Sequence, residues 1–352
     1  MPKRSIATLA LLVTSFFLAT PSGSQQQRSA RLEPIAVIQE VPGYDFYAPV
    51  SIATDSGLVF IADFRDCCIH VFDEKLVHKA VIGAPGDGPG EFRQLVSIDA
   101  RGGVLAALNL YPPHVTLFDY TGRMLDRWEV TASPWGDLRL TPQGTLLLVH
   151  SDRSSGAFLT EMSLEGGVVA EHMQDPFPHP IGTASEARLL LGDDEIYIVL
   201  TQLPRIIGRG QREFDWSYDY ARLDPGLRTH FHNREQLLRE RPEGLWRFPV
   251  QGGGAVAGDH LVLGGYNFNL LVLDATSGDI SYVTLGPLAG ELVTEFRPRS
   301  GGPPMSQATY RDAVAVRDEI WFLAGGGFYL IKFRTADILA AASGGTILKP
   351  KK

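Results

Sequence analysis

Short apolar runs separated by polar, glycine-containing turns recur along the chain. One unit starts at Val50 and reads VSIATDSGLVFIADFRDCCIHVFDEKLVHKAVIG, and the next includes VSIDARGGVLAALNLYPPHVTLFDYTGRMLDRWEV from Val96. The two Val-Ser-Ile copies, at Val50 and Val96, are 46 residues apart. Both units continue with an acidic turn, an apolar run, a polar loop and a run that ends in Phe-Asp. This period and order predict four short strands per unit.

Four further units follow with weaker similarity and bring the number of units to six. They begin near Leu138, Ala187, Gly254 and Ala313. The third strand of a unit is predicted to end in an aspartate four times, at Asp73, Asp119, Asp224 and Asp274. An aspartate side chain at this position bonds the backbone of the following turn, so we interpret these four residues as structural.

The last unit contains three strands and then RTADILAAASGG, which does not resemble a fourth strand. An isolated apolar run, Pro34–Val41, precedes the first unit and is predicted to pair beside Phe328–Phe333. That pairing closes a ring and removes exposed sheet edges. The sequence therefore predicts an all-β fold: a single six-bladed β-propeller of four-stranded blades over residues 34–333, closed by an N-terminal strand. Residues 334–352 are interpreted as a C-terminal tail.

The N-terminal segment has the pattern of an export signal. Lys3 and Arg4 precede the uncharged apolar stretch Ile6–Ala19, and small residues follow at Ser22–Ser24. We interpret residues 1–24 as a cleaved signal peptide and residues 25–33 as a flexible linker. This predicts a periplasmic or extracellular protein. No later segment has the roughly 20 apolar residues that a membrane span requires.

Charge and cysteine content narrow the classes of function further. The 352-residue chain has a formal net charge of −8, which becomes −10 when residues 1–24, with Lys3 and Arg4, are removed. Such an acidic protein gives no support to nucleic-acid binding. The two cysteines, Cys67 and Cys68, are adjacent, and two interpretations stay open. They form a strained vicinal disulfide, or they are two thiols.

A glycine- and proline-rich segment, Gly83–Phe92, joins the first two units and reads GAPGDGPGEF. A phosphate-binding loop would continue with lysine and Ser/Thr into a helix, whereas this segment leads into a strand. We interpret it as a joint between blades, with Phe92 packed between them. Together with Ser51–Asp63 and Ile69–Asp73 it resembles an NHL repeat. The resemblance implies a propeller with a general binding role. The family includes scaffolds, lactonase-like enzymes and an amidating lyase, so the resemblance does not determine a reaction.

The longer connections are predicted on one face, which carries the blade joints and the loops between second and third strands. Long loops in a compact domain are usually functional or disordered, so we expect this face to bind a partner. Its segment Gln202–Phe248 is rich in arginine and aromatic residues, which commonly anchor binding surfaces. Acidic residues are interspersed there, and internal ion pairs explain that composition equally well. The candidate binding residues are Arg65, Asn109, Tyr111, His150, Arg205, Arg209, Arg212, Trp216, Tyr218, Tyr266 and Asn267.

Candidate catalytic chemistry is sparse in the sequence. His230 and His232 alternate on a predicted strand and are weak candidates for metal ligands. A lactonase-like site would need acid and asparagine ligands at the channel, where Asp63, Asn109, Asn267 and Asn269 are expected. We predict a monomeric, non-enzymatic binding or scaffold protein without a cofactor, which holds a protein, peptide or glycan. The alternative is a metal-assisted hydrolase or lyase, lactonase-like or amidating-lyase-like, with a divalent metal in the central channel.

Overall fold

Antiparallel sheets of at least four strands form six blades arranged in a ring. The computed structural model describes residues 31–130, 136–149, 157–174, 187–201, 203–223, 251–265, 269–286, 310–324 and 328–351. Within a blade, consecutive strands are neighbours, so the chain proceeds from the innermost strand outward before it enters the next blade. The predicted six-bladed β-propeller is confirmed.

The first three blades follow one another without interruption of the pattern. The N-terminal strand β1 (Ala36–Ile38) precedes them. Blade 1 contains β2 (Pro49–Asp55), β3 (Leu58–Asp63), β4 (Cys68–Asp73) and β5 (His78–Ile82). Two short parallel strands, β6 (Ala84–Pro85) and β7 (Glu91–Phe92), lie in the next joint. Blade 2 contains β8 (Leu95–Arg101), β9 (Val104–Leu110), β10 (Pro113–Asp119) and β11 (Met124–Glu129). Blade 3 contains β12 (Leu138–Leu140), β13 (Leu146–Val149), β14 (Ala157–Met162) and β15 (Val168–Gln174).

The last three blades complete the ring and include both ends of the described chain. Blade 4 contains β16 (Ala187–Leu191), β17 (Glu195–Leu200), β18 (Arg205–Gly210) and β19 (Phe214–Ser217). Blade 5 contains β20 (Gln251–Ala257), β21 (His260–Gly265), β22 (Leu270–Asp274) and β23 (Ile280–Val283). Blade 6 contains β24 (Tyr310–Val316), β25 (Glu319–Ala324) and β26 (Tyr329–Arg334), and β1 is its outermost strand. The helix α1 (Thr335–Ser343) and the strand β27 (Thr346–Leu348) follow.

The N-terminal strand closes the ring, as the sequence predicts. β1 pairs antiparallel with β26, and Val37 faces Ile331 in the register. The outermost strand of blade 6 therefore comes from the start of the described chain, and its other three strands come from near the end. Opening the ring requires these two segments to separate, and the pairing leaves no free edge on β26.

The segment after Arg334, interpreted from the sequence as a tail, forms a second fastening. α1 buries Ile338, Ala341 and Ala342 in the apolar layer between blades 5 and 6. β27 then pairs antiparallel with β23 and adds a fifth strand to blade 5. The run of alanines favours a helix here, and its small side chains allow close packing on the blades.

Blade 4 differs from the sequence prediction. The sequence predicts a long connection at the start of the segment Gln202–Phe248, before a third strand that ends at Asp224, but β18 and β19 lie within Arg205–Ser217. Tyr220–Arg222 form a 3-10 helix, and Asp224 lies outside the described residues. The apolar side chains of β18 are the buried Ile206 and Ile207. Arginines and glycines occupy its other positions, so its sequence lacks the alternation that predicts a strand. The other three predicted aspartates do end third strands.

The joint Gly83–Phe92 packs an aromatic ring between blades 1 and 2, as predicted. Phe92 is fully buried and shares an apolar cluster with Phe60 and Phe118. Gly83 has a φ of +83°, and a Cβ there would lie 2.5 Å from the Phe92 ring. Glycine is therefore required both by the backbone conformation and by the close approach of the ring.

A buried ion-pair network, the hub, fills the centre of the ring. Arg139 on β12 of blade 3 donates hydrogen bonds of 3.0 Å to Asp137 and, in the opposite blade 6, to Asp312. The Arg139 side chain is only 10% exposed, and each carboxylate is 1% exposed. A guanidinium held by two buried carboxylates satisfies its charge without water and so connects blades that face each other across the channel.

The hub also binds the neighbouring innermost strands. In blade 1, Ser51 Oγ donates to Asp312 at 2.7 Å, and in blade 2, Ser97 Oγ donates to Asp137 at 2.6 Å. In blade 4 the Leu189 N–H donates to Asp137 at 2.8 Å. Five of the six blades thus contribute a group to one connected network. The repeated Val-Ser-Ile motif supplies the two serines.

Blade 5 approaches the hub through its backbone. A Cβ on Gly253 of β20 would lie 2.3 Å from the Cα of Asp312, and a Cβ on Gly252 would lie 2.0 Å from the Tyr310 carbonyl oxygen. Only glycine permits the innermost strands of blades 5 and 6 to lie this close. The Gly252–Gly254 run therefore completes the ring where no side chain fits.

Replacement of Arg139 tests the hub. Arg139→Met is expected to lower the free energy of unfolding by about 3–5 kcal/mol, because the buried carboxylates of Asp312 and Asp137 lose the guanidinium between them, although Asp137 keeps Arg188 at 4.0 Å. Arg123→Met is the matched control, because Arg123 is 75% exposed and pairs with Asp119 at the surface, where water screens the pair. Urea unfolding of both variants measures the effects. Similarly small losses in the two variants would contradict a stabilising hub.

Asp99 gives the ring a characteristic dependence on pH. It lies on β8, accepts the Leu140 N–H at 2.7 Å, and burial raises its pKa to about 6 even though the charge of Arg139 opposes this shift. Unfolded aspartate has a pKa of about 3.9, so between these values the folded state binds more protons and loses stability as pH rises. The unfolding free energy of the wild type minus that of Asp99→Asn should fall from pH about 4 to about 6 and then level off. Urea unfolding at several pH values checks this, and a constant difference would contradict the assignment.

Candidate functional site

The candidate site lies on the predicted face, where the joints entering blades 1 and 2 meet the loops between their second and third strands. Asp63, at the end of β3, is fully buried and organises the first of these loops. The N–H groups of Tyr47 and Ala48 donate to its Oδ2 at 2.8 and 2.9 Å, and those of Arg65 and Asp66 donate to its Oδ1 at 2.9 and 3.1 Å. One carboxylate therefore holds the entering joint and the loop together.

Asn109 has the same role in blade 2, at the equivalent position of the repeat. It is fully buried, and its Oδ1 accepts the N–H groups of Arg93 and Gln94 at 3.0 and 2.8 Å. Its Nδ2 donates to the Pro112 carbonyl oxygen at 2.9 Å. The carboxamide thus fixes the joint Gly83–Phe92 and the loop around Tyr111 at once.

The two loops are linked to each other. Cys67 Sγ, at the end of the blade 1 loop, donates to the Arg93 carbonyl oxygen at 3.1 Å, and Arg93 is the residue whose N–H binds Asn109. Arg127 Nη1 supports the joint from blade 2 by donating to the Gly88 carbonyl oxygen at 2.8 Å. Buried polar anchors therefore connect both loops into one surface.

Three large side chains project from this surface, and we name Tyr47, Arg65 and Tyr111 the blade 1–2 rim. Tyr47 is 64% exposed and Tyr111 is 53% exposed, and Arg65 is also exposed. No hydrogen bond or ion pair of these three side chains occurs within the described part of the chain. Arg65 and Tyr111 lie two residues after the buried anchors Asp63 and Asn109. Exposed aromatic and arginine side chains on fixed backbone are suited to contact a partner.

Asn109 and Tyr218, predicted to bind a partner, are structural. The amide of the fully buried Asn109 already makes three hydrogen bonds, so it has no free group to offer. Tyr218 is 2% exposed, and its hydroxyl donates to the Gly278 carbonyl oxygen at 2.9 Å. Its aromatic ring fills the space between blades 4 and 5, which explains why a tyrosine stands there.

The predicted blade 4 residues are not gathered with the rim. Arg212 follows β18 in the turn to β19, on the opposite face, and its Nη1 donates to Thr276 Oγ1 at 3.0 Å. Arg209 lies near the same end and donates to the Gly208 carbonyl oxygen. Arg205 is held by Asp215, and Trp216 stacks on Phe214 with ring centroids 3.7 Å apart. Strand formation in this segment, in place of the expected loop, separates these side chains.

Several predicted residues are not covered by the structure. The candidate binding residues His150, Tyr266 and Asn267 and the candidate metal ligands His230 and His232 lie outside the described residues. Residues 1–24 also lie outside them. In the described part of the chain, no helix has the length and apolar character needed to cross a membrane.

In the structure the adjacent cysteines, Cys67 and Cys68, are two buried free thiols. Cys67 has a φ of +52°, and its Sγ contacts the Arg93 carbonyl oxygen, whereas the Sγ of Cys68 lies 3.4 Å from His70 Nε2. The two sulfur atoms thus have separate partners, because Cys67 lies in the turn and Cys68 begins strand β4.

The channel residues considered for a lactonase-like site have structural partners. Asp63 accepts four backbone N–H groups, and Asn269 accepts the Leu285 N–H at 3.2 Å and donates to the Tyr282 hydroxyl at 2.6 Å. Their polar groups are thus engaged in holding loops, and the centre of the channel is occupied by the hub.

Comparison with known proteins supports the fold and does not determine the function. No protein-family model matches the chain, and no curated protein matches it. A protein of Bacteroides fragilis described as exported has a TM-score of 0.57 at 10% identity, covering 87% of this chain and 96% of its own. A streptogramin B lyase has a TM-score of 0.51 at 11% identity, covering 82% of this chain and 80% of its own. U3-55K has a TM-score of 0.55 at 10% identity, covering 86% and 99%.

These neighbours share the propeller fold, and at such low identity the likeness extends to the fold alone. The NHL family is not confirmed by any family model, so that resemblance stays a prediction.

Substitution of Asp63 tests the anchoring of the rim. Asp63→Asn replaces one of two acceptor oxygens by an N–H₂ group that faces backbone donors, so we expect a loss of about 2–3 kcal/mol in unfolding free energy. Asp45→Asn, an exposed position in the same joint, is the control and should have little effect. Urea unfolding measures both. Equal behaviour of the two variants would show that Asp63 does not anchor the loop.

Proposed function

We propose that this chain is an exported binding or scaffold propeller that holds a protein, peptide or glycan on the blade 1–2 rim. The observation that carries the proposal is the pair of exposed tyrosines and the exposed arginine on loops fixed by the buried anchors Asp63 and Asn109. Export rests on the predicted signal peptide at residues 1–24.

The physical advantage of the rim is preorganisation. Binding loses free energy when loops must become ordered, and a backbone already held by buried hydrogen bonds avoids most of that loss. Tyrosine and arginine provide a large contact area together with polar groups, and these residue types dominate the binding energy of many interfaces. Tyr47, Arg65 and Tyr111 combine both properties at one place.

A metal-assisted hydrolase or lyase in the channel is the competing hypothesis, and the hub argues against it. The carboxylates of Asp137 and Asp312 are 1% exposed and already hold Arg139, so neither presents a free oxygen to a metal or a substrate. The pKa of Asp99, about 6, is in the range of a general acid or base that acts near neutral pH. Its carboxylate, however, accepts the Leu140 N–H and so holds the backbone of blade 3. The described residues favour binding at the rim over chemistry at the centre.

A selection experiment tests the proposal and finds the chemical class of the partner at the same time. Displayed peptide libraries and a glycan array are screened with residues 25–352, and the selected ligands are titrated against the triple variant Tyr47→Ala, Arg65→Ala, Tyr111→Ala. We expect at least tenfold weaker binding, about 1.4 kcal/mol, in the triple variant.

The control for this experiment truncates exposed apolar side chains elsewhere. Val168 and Val169 on the outer strand of blade 3 are 65% and 57% exposed, and the double variant Val168→Ala, Val169→Ala should bind like the wild type. Ligands that bind the wild type and the triple variant equally would contradict the rim as the binding site. The absence of any selected peptide or glycan would count against the proposed function itself.

A further inference from the structure

Beside the rim, Asp66, Cys68 and His70 bring three metal-ligating groups together, and we name them the D-C-H cluster. Cys68 and His70 alternate on β4, so their side chains point to one face of the strand, and Asp66 reaches the same place from the turn that precedes β4. The Cys68 Sγ and His70 Nε2 are 3.4 Å apart, and the Asp66 Oδ2 and His70 Nε2 are 4.0 Å apart. All three ligand atoms lie within 4.8 Å of one another.

We propose that the D-C-H cluster binds a divalent cation of the zinc class through one thiolate, one imidazole and one carboxylate. Zinc is bound by sulfur at about 2.3 Å and by nitrogen or oxygen at about 2.0–2.2 Å, so tetrahedral ligand atoms stand roughly 3.3–3.6 Å apart. The observed distance between sulfur and nitrogen meets this requirement. The carboxylate needs only a small movement, and the Asp66 side chain is 32% exposed and has room for it.

The local charge favours a cation. The buried Asp63 carboxylate lies next to the cluster, and burial together with the charge of Asp63 raises the pKa of Asp66. Among the described residues, no lysine or arginine forms an ion pair with Asp63 or Asp66. Two neighbouring carboxylates without a basic partner repel each other, and a bound cation would relieve that repulsion.

His70 is oriented to serve as a ligand. Its ring is 2% exposed, and its Nδ1 is buried with no hydrogen-bond partner among the described residues. No other hydrogen bond therefore fixes the tautomer, and Nε2 can direct its lone pair towards Cys68 and Asp66. The neutral imidazole is the form that ligates a metal, and it does so through this lone pair.

Cys68 must lose a proton when the cation binds. The thiolate, not the thiol, is the form that ligates a metal, and Cys68 is a free thiol in the structure. Binding exchanges the S–H bond for an S–metal bond and releases one proton to the solvent, without any change of oxidation state. With three protein ligands, the fourth position is open to water.

The surroundings of the cluster resemble a partly closed site. The rings of Tyr44 and Phe46 lie 4.3 and 5.1 Å from the His70 ring, both edge-on, and cover it from the N-terminal joint. Access remains on the side of Asp66. A cation would thus be shielded on one side and reached from the binding face on the other.

Cobalt(II) is the probe for this site, because thiolate ligation produces an intense near-ultraviolet charge-transfer band. The reduced, metal-free protein, residues 25–352, is titrated with Co²⁺ and then with Zn²⁺. We expect one equivalent of Co²⁺ to produce the band, Zn²⁺ to abolish it, and about one proton to be released per cation at pH 7.

The adjacent cysteine provides the matched control. Cys67→Ser should keep the band, because its sulfur contacts the Arg93 carbonyl oxygen and not His70. Cys68→Ser should abolish the band, and Asp66→Asn, at a partly exposed position, should weaken Co²⁺ binding at least tenfold with an unchanged thermal midpoint.

Three results would overturn the proposal. They are no thiolate band in the wild type, a band that persists in Cys68→Ser, and a band that disappears equally in Cys67→Ser. If Cys68→Ser does not fold, Asp66→Asn decides, because unaltered Co²⁺ affinity in that variant would exclude the three-ligand site.

Discussion

The ion pair between Arg139 and Asp312 joins opposite blades, and the geometry of the ring depends on it. A propeller blade contacts only its two neighbours, so small errors in packing angle would accumulate around the ring. A guanidinium shared by Asp137 of blade 3 and Asp312 of blade 6 fixes the distance across the channel directly. Because each partner is buried, loss of one leaves the others desolvated and uncompensated, which makes the arrangement cooperative.

Because the hub fixes the innermost strands, the loops at the binding face extend from a rigid framework. Asp63 and Asn109 use this framework to hold successive joints and loops, and the two residues occupy the same position in consecutive repeats. The carboxylate of Asp63 accepts four N–H groups, whereas the carboxamide of Asn109 accepts two N–H groups and donates one hydrogen bond. Each of the two side chains holds a joint and a loop together. The side chains two residues further on, Arg65 and Tyr111, are thereby positioned outward.

The repeat explains which parts of the fold could be predicted from sequence. The two Val-Ser-Ile copies, the joint with Phe92 and the run Pro34–Val41 are local signals, and each identified its element correctly. The hub could not be predicted in this way, because Arg139 and Asp312 are 173 residues apart in the sequence and meet only in the closed ring. In blade 4, the charged and glycine-rich β18 and β19 lacked the apolar alternation that marks the other strands.

The candidate site residues were likewise predicted only in part from the sequence. Arg65 and Tyr111 were predicted because they lie in loops, and they are exposed. Asn109 was predicted for the same reason, although its equivalence to Asp63 in the repeat was a signal for a buried anchor. The D-C-H cluster was missed because Cys67 and Cys68 were considered as a pair, whereas side chains that meet on a strand are two residues apart.

Hydrogen exchange of backbone amides tests most directly whether buried anchors hold the binding face rigid. The loop amides of Tyr47, Ala48, Arg65 and Asp66, bonded to Asp63, and of Arg93 and Gln94, bonded to Asn109, are the reporters. The account predicts that they exchange as slowly as amides within the strands of blades 1 and 2. Exchange at the rate of unprotected loop amides would contradict a preorganised rim.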